Sequence, residues 1–144
     1  MIDGFGRRIE YLRVSVTDKC NLRCVYCMPE EGLSWLRKEQ LLTYEEIVKV
    51  ITTMAPLGLR RVRITGGEPL VRRDLPELVH MIAAVPGIED LSLSTNGVLL
   101  EEHGEALREA GVNRVNISLD SLRPDRVDVL SRRPGSAQRI MAGI

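Results

Sequence analysis

Aromatic residues are almost missing from this chain: Phe5, Tyr11, Tyr26, Trp35 and Tyr44 are the whole set in 144 residues. Proteins that grip single-stranded nucleic acid stack successive bases on clustered aromatics, so that class is disfavoured. Net charge is missing too. Twenty Lys and Arg balance twenty Asp and Glu, which leaves no overall pull toward nucleic acid or an anionic membrane. No apolar run approaches the ~18 residues of a membrane-spanning helix, and the opening "MIDGFGRRIEYL" has no apolar signal core. These absences point to a cytoplasmic chain with neither membrane nor nucleic acid as partner. Cysteine is scarce and oddly placed: there are three, all between residues 20 and 27. In a reducing compartment such a cluster more often binds metal or does redox chemistry than forms structural disulfides.

What is present suits one folded domain over residues 1–144. The chain is 44% hydrophobic and 28% charged, a globular balance with enough length for a core. Four short runs rich in Val, Ile, Leu and Thr alternate with helical ones: 12–16, 61–65, 90–95 and 114–119. A first helix opens at "TYEE", where Thr43 and Glu46 have capping-box spacing, and stops near Gly58. A second opens at Asp74 with Glu77 three positions on, and ends by Pro86–Gly87. A third ends at Gly111, and a fourth starts after residues 123–125 and runs toward Ile144. Strand, helix, strand, helix implies an α/β fold: about four βα units, with parallel strands and crossover helices on the outer face.

The strands alternate in polarity. Parallel strands covered on both faces are usually apolar throughout. Here one face carries Leu12, Val14, Val16, Val62, Ile64, Leu91, Leu93, Val115, Ile117 and Leu119. The other carries Arg13, Ser15, Thr17, Arg61, Arg63, Thr65, Ser92, Ser94, Asn96, Asn116, Ser118 and Asp120. Either water washes that second face, or it lines a wide barrel that holds a charged, hydroxylated ligand. Arg13 and Arg63 sit on it, and inward guanidinium groups are costly unless an anion meets them. Arg61, Arg72 and Arg73 lie nearer loops and read as solvent contacts. His80 and His103 have no paired acid and read as structural or exposed.

The chemistry-bearing segments all follow strand ends, where parallel α/β folds place their sites. Cys20, Cys24 and Cys27 form C-x3-C-x2-C. Sulfur ligands without histidine suit zinc or an iron–sulfur cluster. A closed zinc site wants four protein ligands, and the sequence offers only Asp18 as a fourth. A cubane on three thiolates leaves one iron open to a small molecule. "GGEP" (66–69) follows the second strand, where glycines admit close backbone approach. Tyr26, between two of the cysteines, either packs on a cluster-bound molecule or packs within its loop. Ser94 and Ser118 either bind a ligand or bond locally.

Taken in order, "FGRRIEYLRVSVTDKCNLRCVYCMP", "LTYEEI", "RVRITGGEPLVRRDLPEL", "IEDLSLSTNGVLL" and "GVNRVNISLDSL" resemble the GTP 3′,8-cyclases. These are radical S-adenosylmethionine (radical-SAM) lyases that open molybdenum-cofactor (molybdopterin) biosynthesis. Radical-SAM peptide maturases share the cysteine and GGEP segments. Arg13, the Met28–Pro29 pair and "RRDL" (72–75) favour the cyclases over them. A peptide maturase, or a structural zinc module, remains as the alternative.

The resemblance implies a partial (βα) barrel. It implies a [4Fe–4S] cluster on Cys20, Cys24 and Cys27, with S-adenosylmethionine on the open iron. One electron would cleave the sulfonium, and the resulting radical would take the 3′ hydrogen of GTP before C3′ attacks C8 of guanine. Tyr26, Gly67 and Ser118 match S-adenosylmethionine contacts. Arg13, Arg63 and Ser94 match GTP contacts, Ser94 standing where Thr is frequent. A reductant and the next molybdopterin-pathway enzyme are the implied partners, and a homodimer is compatible. The family's second cluster has no cysteine ligands in this chain. A complete barrel needs ~200 residues or more. The chain therefore reads as an N-terminal portion truncated inside its last helix, with an exposed edge at the fourth strand, incomplete for catalysis.

Overall fold

The computed structural model describes residues 2–144. Four strands form one parallel sheet in sequential order: β1 (Tyr11–Ser15), β2 (Arg61–Thr65), β3 (Asp90–Thr95) and β4 (Arg114–Ile117). The expected alternation sets the register. Val14, Ile64, Leu93 and Val115 make one row across the sheet, and Arg13, Arg63, Ser92 and Arg114 make the row on the opposite face. Ser118 and Leu119 were expected within β4 but lie beyond it, although the Ser118 amide still donates to the Thr95 carbonyl at 2.9 Å.

Helices α1 (Tyr44–Met54), α2 (Leu75–Ala83) and α3 (Leu100–Ala110) pack on the apolar face. The capping box of α1 forms as its spacing predicts: Thr43 Oγ1 accepts from the Glu46 amide at 3.2 Å, and Glu46 Oε2 from the Thr43 amide at 2.8 Å. A 3-10 turn then leads to Gly58 in the left-handed region, with φ 103°. The expected side-chain cap at Asp74 does not form. Asp74 has φ 57°, and only its carbonyl serves the first turn of α2, accepting from the Glu77 amide. Proline at the second position of α2 already removes one of the amides such a cap would serve.

The final segment also differs from the single cut helix read from the sequence. "RRPG" divides it into α4 (Pro124–Ser131) and α5 (Ser136–Ala142), with Arg132 at φ 51° and Gly135 at φ 78° between them. Asp128 on α4 caps α5, accepting from the Gly135 amide at 2.7 Å and from the Ala137 amide and Ser136 hydroxyl at 3.0 Å.

Two apolar clusters follow. The main one joins Val62, Ile64, Leu91 and Leu93 of the sheet to Ile47, Ile51, Leu78, Val79, Ile82 and Leu107 of the helices. Each fully buried aliphatic side chain there contributes about 1.5–3 kcal/mol. The second is smaller: Leu22, Val98, Val127, Ala137 and Ile140, with Cys20, Cys24, Ile117 and Leu119 against it. Because α4 and α5 cover only the upper end of β4, Val115 stays 39% exposed while its row-mates Ile64 and Leu93 are fully buried. Its expected place under a helix is not realised.

Candidate functional site

The loop after β1 and the loop after β2 run side by side. Val16 N donates to the Thr65 carbonyl at 2.9 Å, Gly67 N to the Thr17 carbonyl at 2.8 Å and Glu68 N to the Lys19 carbonyl at 2.8 Å. This approach explains the two glycines. A Cβ on Gly66, whose φ is 151°, would meet the Thr17 carbonyl, and one on Gly67 would meet the carbonyls of Asp18 and Lys19. Only glycine permits the cysteine loop to lie this close.

Glu68, the third residue of "GGEP", has a role that its place in a turn does not announce. It is fully buried and is the hub of the strand ends. Its Oε1 accepts from the Thr95 hydroxyl at 2.7 Å and the Leu70 amide at 3.0 Å, and its Oε2 from the Asn96 amide at 2.7 Å. Burial pushes its carboxyl up, and those three donors pull against the rise. Asn96 carries the connection onward: its amide group donates to Asn21 Oδ1 at 2.7 Å and lies 3.9 Å from Cys20 Sγ. The sequence's one hint is Glu68 at a strand end directly before Pro69, with "STNG" one unit later.

Cys20 and Cys24 are partly buried and Cys27 is exposed. Burial pushes the Cys20 and Cys24 thiols up, and the charge of the neighbouring cysteines adds to the rise in both. Among the described residues, no group of three His, Cys, Asp or Glu converges on a single-ion position. The donor chemistry, three thiols with no histidine beside them, is of the kind an iron–sulfur cluster takes. Asp18 turns away, its Oδ2 accepting from the Leu36 amide at 2.6 Å.

The other expected site residues fall around the same end and face of the sheet. Arg13 and Arg63 are register partners. Arg63 donates to Ser92 Oγ at 3.3 Å and its guanidinium lies 5.6 Å from the centre of the Tyr11 ring, while among the described residues neither arginine has a carboxylate partner. Arg114, in the same row, is neutralised by Asp90 at 2.6 Å. Ser94 is half-buried on β3, and Ser118 is exposed past β4. Tyr26 donates its hydroxyl to Asp120 Oδ2 at 2.7 Å, which ties the cysteine loop to the end of β4 and raises the phenol's pKa. Arg72, expected to reach solvent, is instead half-buried: it donates to the carbonyls of Val16 at 2.5 Å and Leu42 at 2.6 Å and stacks on Tyr44. His80 is exposed and His103 half-buried.

Residues 14–144 match the family model described as the radical SAM superfamily. The chain belongs to that superfamily. Among curated relatives of this radical-SAM chain, GTP 3′,8-cyclase of Listeria welshimeri is 54% identical over 142 residues, and that of Petrotoga mobilis is 51% identical over 140. These alignments cover 99% and 97% of the chain but 42% and 43% of the relatives, so the chain spans less than half their length. Solved structures share the fold at low identity. Streptococcus suis SuiB bound to S-adenosylmethionine matches with TM-score 0.66 and 18% identity, over 91% of this chain and 30% of its own. BtrN in complex with AdoMet and 2-DOIA matches with TM-score 0.58 and 22% identity, over 77% of this chain and 46% of its own. No helix among the described residues is long and apolar enough to cross a membrane.

Proposed function

We propose that residues 1–144 form the radical-SAM core of a cytoplasmic GTP 3′,8-cyclase acting in molybdenum-cofactor biosynthesis. One observation carries the reading: a chain half identical to such cyclases over nearly all its residues holds two unneutralised, in-register guanidiniums on the open sheet face, the face that rises toward its cysteine loop. Paired like charges repel, and a triphosphate is the class of ligand that would relieve them.

In this reading Cys20, Cys24 and Cys27 hold a [4Fe–4S] cluster, which when bound supplies the electron that cleaves S-adenosylmethionine. The protein's own residues do the rest. Gly67, whose own amide is held by the Thr17 carbonyl, packs against the cysteine loop and borders the amino-acid end of S-adenosylmethionine with its backbone. Tyr26 and Ser118 flank the nucleoside end. Arg13 and Arg63 hold the phosphates of GTP, and the Ser94 hydroxyl orients the nucleotide between them and the cysteine loop. An external reductant supplies the electron, and the product passes to the next molybdopterin-pathway enzyme.

Anaerobic reconstitution tests this. About four irons per chain are expected, with a reduced-state EPR signal that changes when S-adenosylmethionine is added. A colourless protein that retains one zinc would overturn it. GTP binding that survives the loss of both Arg13 and Arg63 would overturn the substrate assignment.

A further inference from the structure

The cysteine loop is seated on the α4–α5 turn as well as on the loop after β2. Leu22, between the first two cysteines, is buried among Val98, Val127, Ala137 and Ile140. Two loop amides complete the C-terminus of α4: Arg23 N donates to the Ser131 carbonyl at 3.1 Å and Val25 N to the Leu130 carbonyl at 2.9 Å. The return contacts come from two adjacent arginines. Arg133 Nη1 donates to the Asn21 carbonyl at 2.6 Å, and Arg132 Nη1 to the Met28 carbonyl at 3.0 Å and the Arg23 carbonyl at 3.4 Å. These carbonyls bracket all three cysteines, one lying beside Cys20, one beside Cys24 and one beside Cys27. A surface arginine is normally free to move in solvent. Arg132 instead holds a left-handed backbone, φ 51°, a strained conformation for a non-glycine residue that the loop contacts accompany.

We propose that Arg132 and Arg133 are positioning residues for the cluster loop, fixing the spacing of its three thiols from outside the C-x3-C-x2-C segment. This inference rests on the radical-SAM reading for the identity of the group held. Its geometric half, the preorganised loop, stands on the contacts alone. Two guanidiniums beside a loop of three thiolates also offset the negative charge that grows when a bound cluster is reduced.

The test uses variants that separate contact from charge. In the cluster-free protein, Arg133→Gln is expected to speed hydrogen exchange at the Arg23 and Val25 amides about tenfold or more, the factor that loss of one charge-assisted hydrogen bond gives. Amides of β2 and α2 should be unchanged, which reports that the fold is intact. Arg133→Lys is expected to restore protection, because a single donor serves the Asn21 carbonyl. In the reconstituted protein, Arg132→Gln with Arg133→Gln is expected to lose iron to a chelator faster than wild type and to show a more negative cluster midpoint potential. Arg139→Gln, which disrupts only a contact to Glu102 on α3, is the control. Unchanged exchange at both amides in the glutamine variants would overturn the proposal. So would an unchanged iron-release rate and potential in the double variant. Failure of the wild-type protein itself to take up iron would instead count against the radical-SAM reading and leave the exchange result to decide the loop's support.

Discussion

Arg13 and Arg63 stand side by side on adjacent strands, while their row-mate Arg114 has Asp90 to neutralise it. The free protein therefore carries a local repulsion that a bound polyanion would remove. Arg13→Gln is expected to leave the free protein as stable as wild type or up to about 1 kcal/mol more stable, while weakening GTP binding by tenfold or more. Denaturant titration and equilibrium binding read the two effects separately. A variant that loses stability and keeps affinity would show Arg13 to be structural. Glu68 is the opposite kind of residue, a charge whose contacts are complete. In Glu68→Gln an amide NH2 would replace one of the oxygens, and either the Asn96 amide or the Thr95 and Leu70 donors would face another donor. The expected cost is about 1–3 kcal/mol. The chelator-resistance of a reconstituted cluster should fall with it, because Asn96 links Glu68 to Asn21 and Cys20. Denaturation midpoints with m-values unchanged would check the first part.

At the scale of elements, helix α5 depends on a residue outside itself. Asp128 sits on α4 yet caps α5 through the Gly135 and Ala137 amides and the Ser136 hydroxyl. Those donors hold its carboxyl below the usual 3.8, the Ala137 amide contributing most. The sign follows: a lowered folded-state pKa gives stability that is present above the unfolded value and lost as pH falls through the folded one. Asp128→Asn should melt lower than wild type at neutral pH, with the gap closing below about pH 4. A gap that stays constant across that range would dismiss the cap. This element also marks where sequence reading ran out. Four strands, their register faces, the α1 capping box and the Gly58 and Gly111 stops were legible because each depends on local spacing. The α4–α5 division was not, because the turn at residues 132–135 is fixed by Asp128 bonding across it to the start of α5. The buried role of Glu68 and the Tyr26–Asp120 tie were equally hidden. Both join segments from separate βα units, and no local period encodes such a contact.

At the scale of the whole molecule, sequential strand order leaves β4 with a neighbour on one side only. Its outer row of amides and carbonyls is a template for another strand. Covering is thin beside it: Val115 is 39% exposed, Leu122 85% and Val129 71%. Proteins that tolerate an edge usually guard it with lysine, proline or a bulge, and the four residues of β4, "RVNI", include only Arg114 as a guard, itself drawn aside to Asp90. Edge pairing is slow to form and favoured by concentration. A protein made of residues 1–144 alone should therefore associate at concentrations on the order of micromolar to millimolar. Val115→Lys should shift it toward monomer without lowering its melting temperature, because this side chain contributes little to the core. Sedimentation velocity across a concentration series reads both species. Association that persists undiminished in the lysine variant would move the contact away from β4, with β1, the other edge of the sheet, as the next candidate.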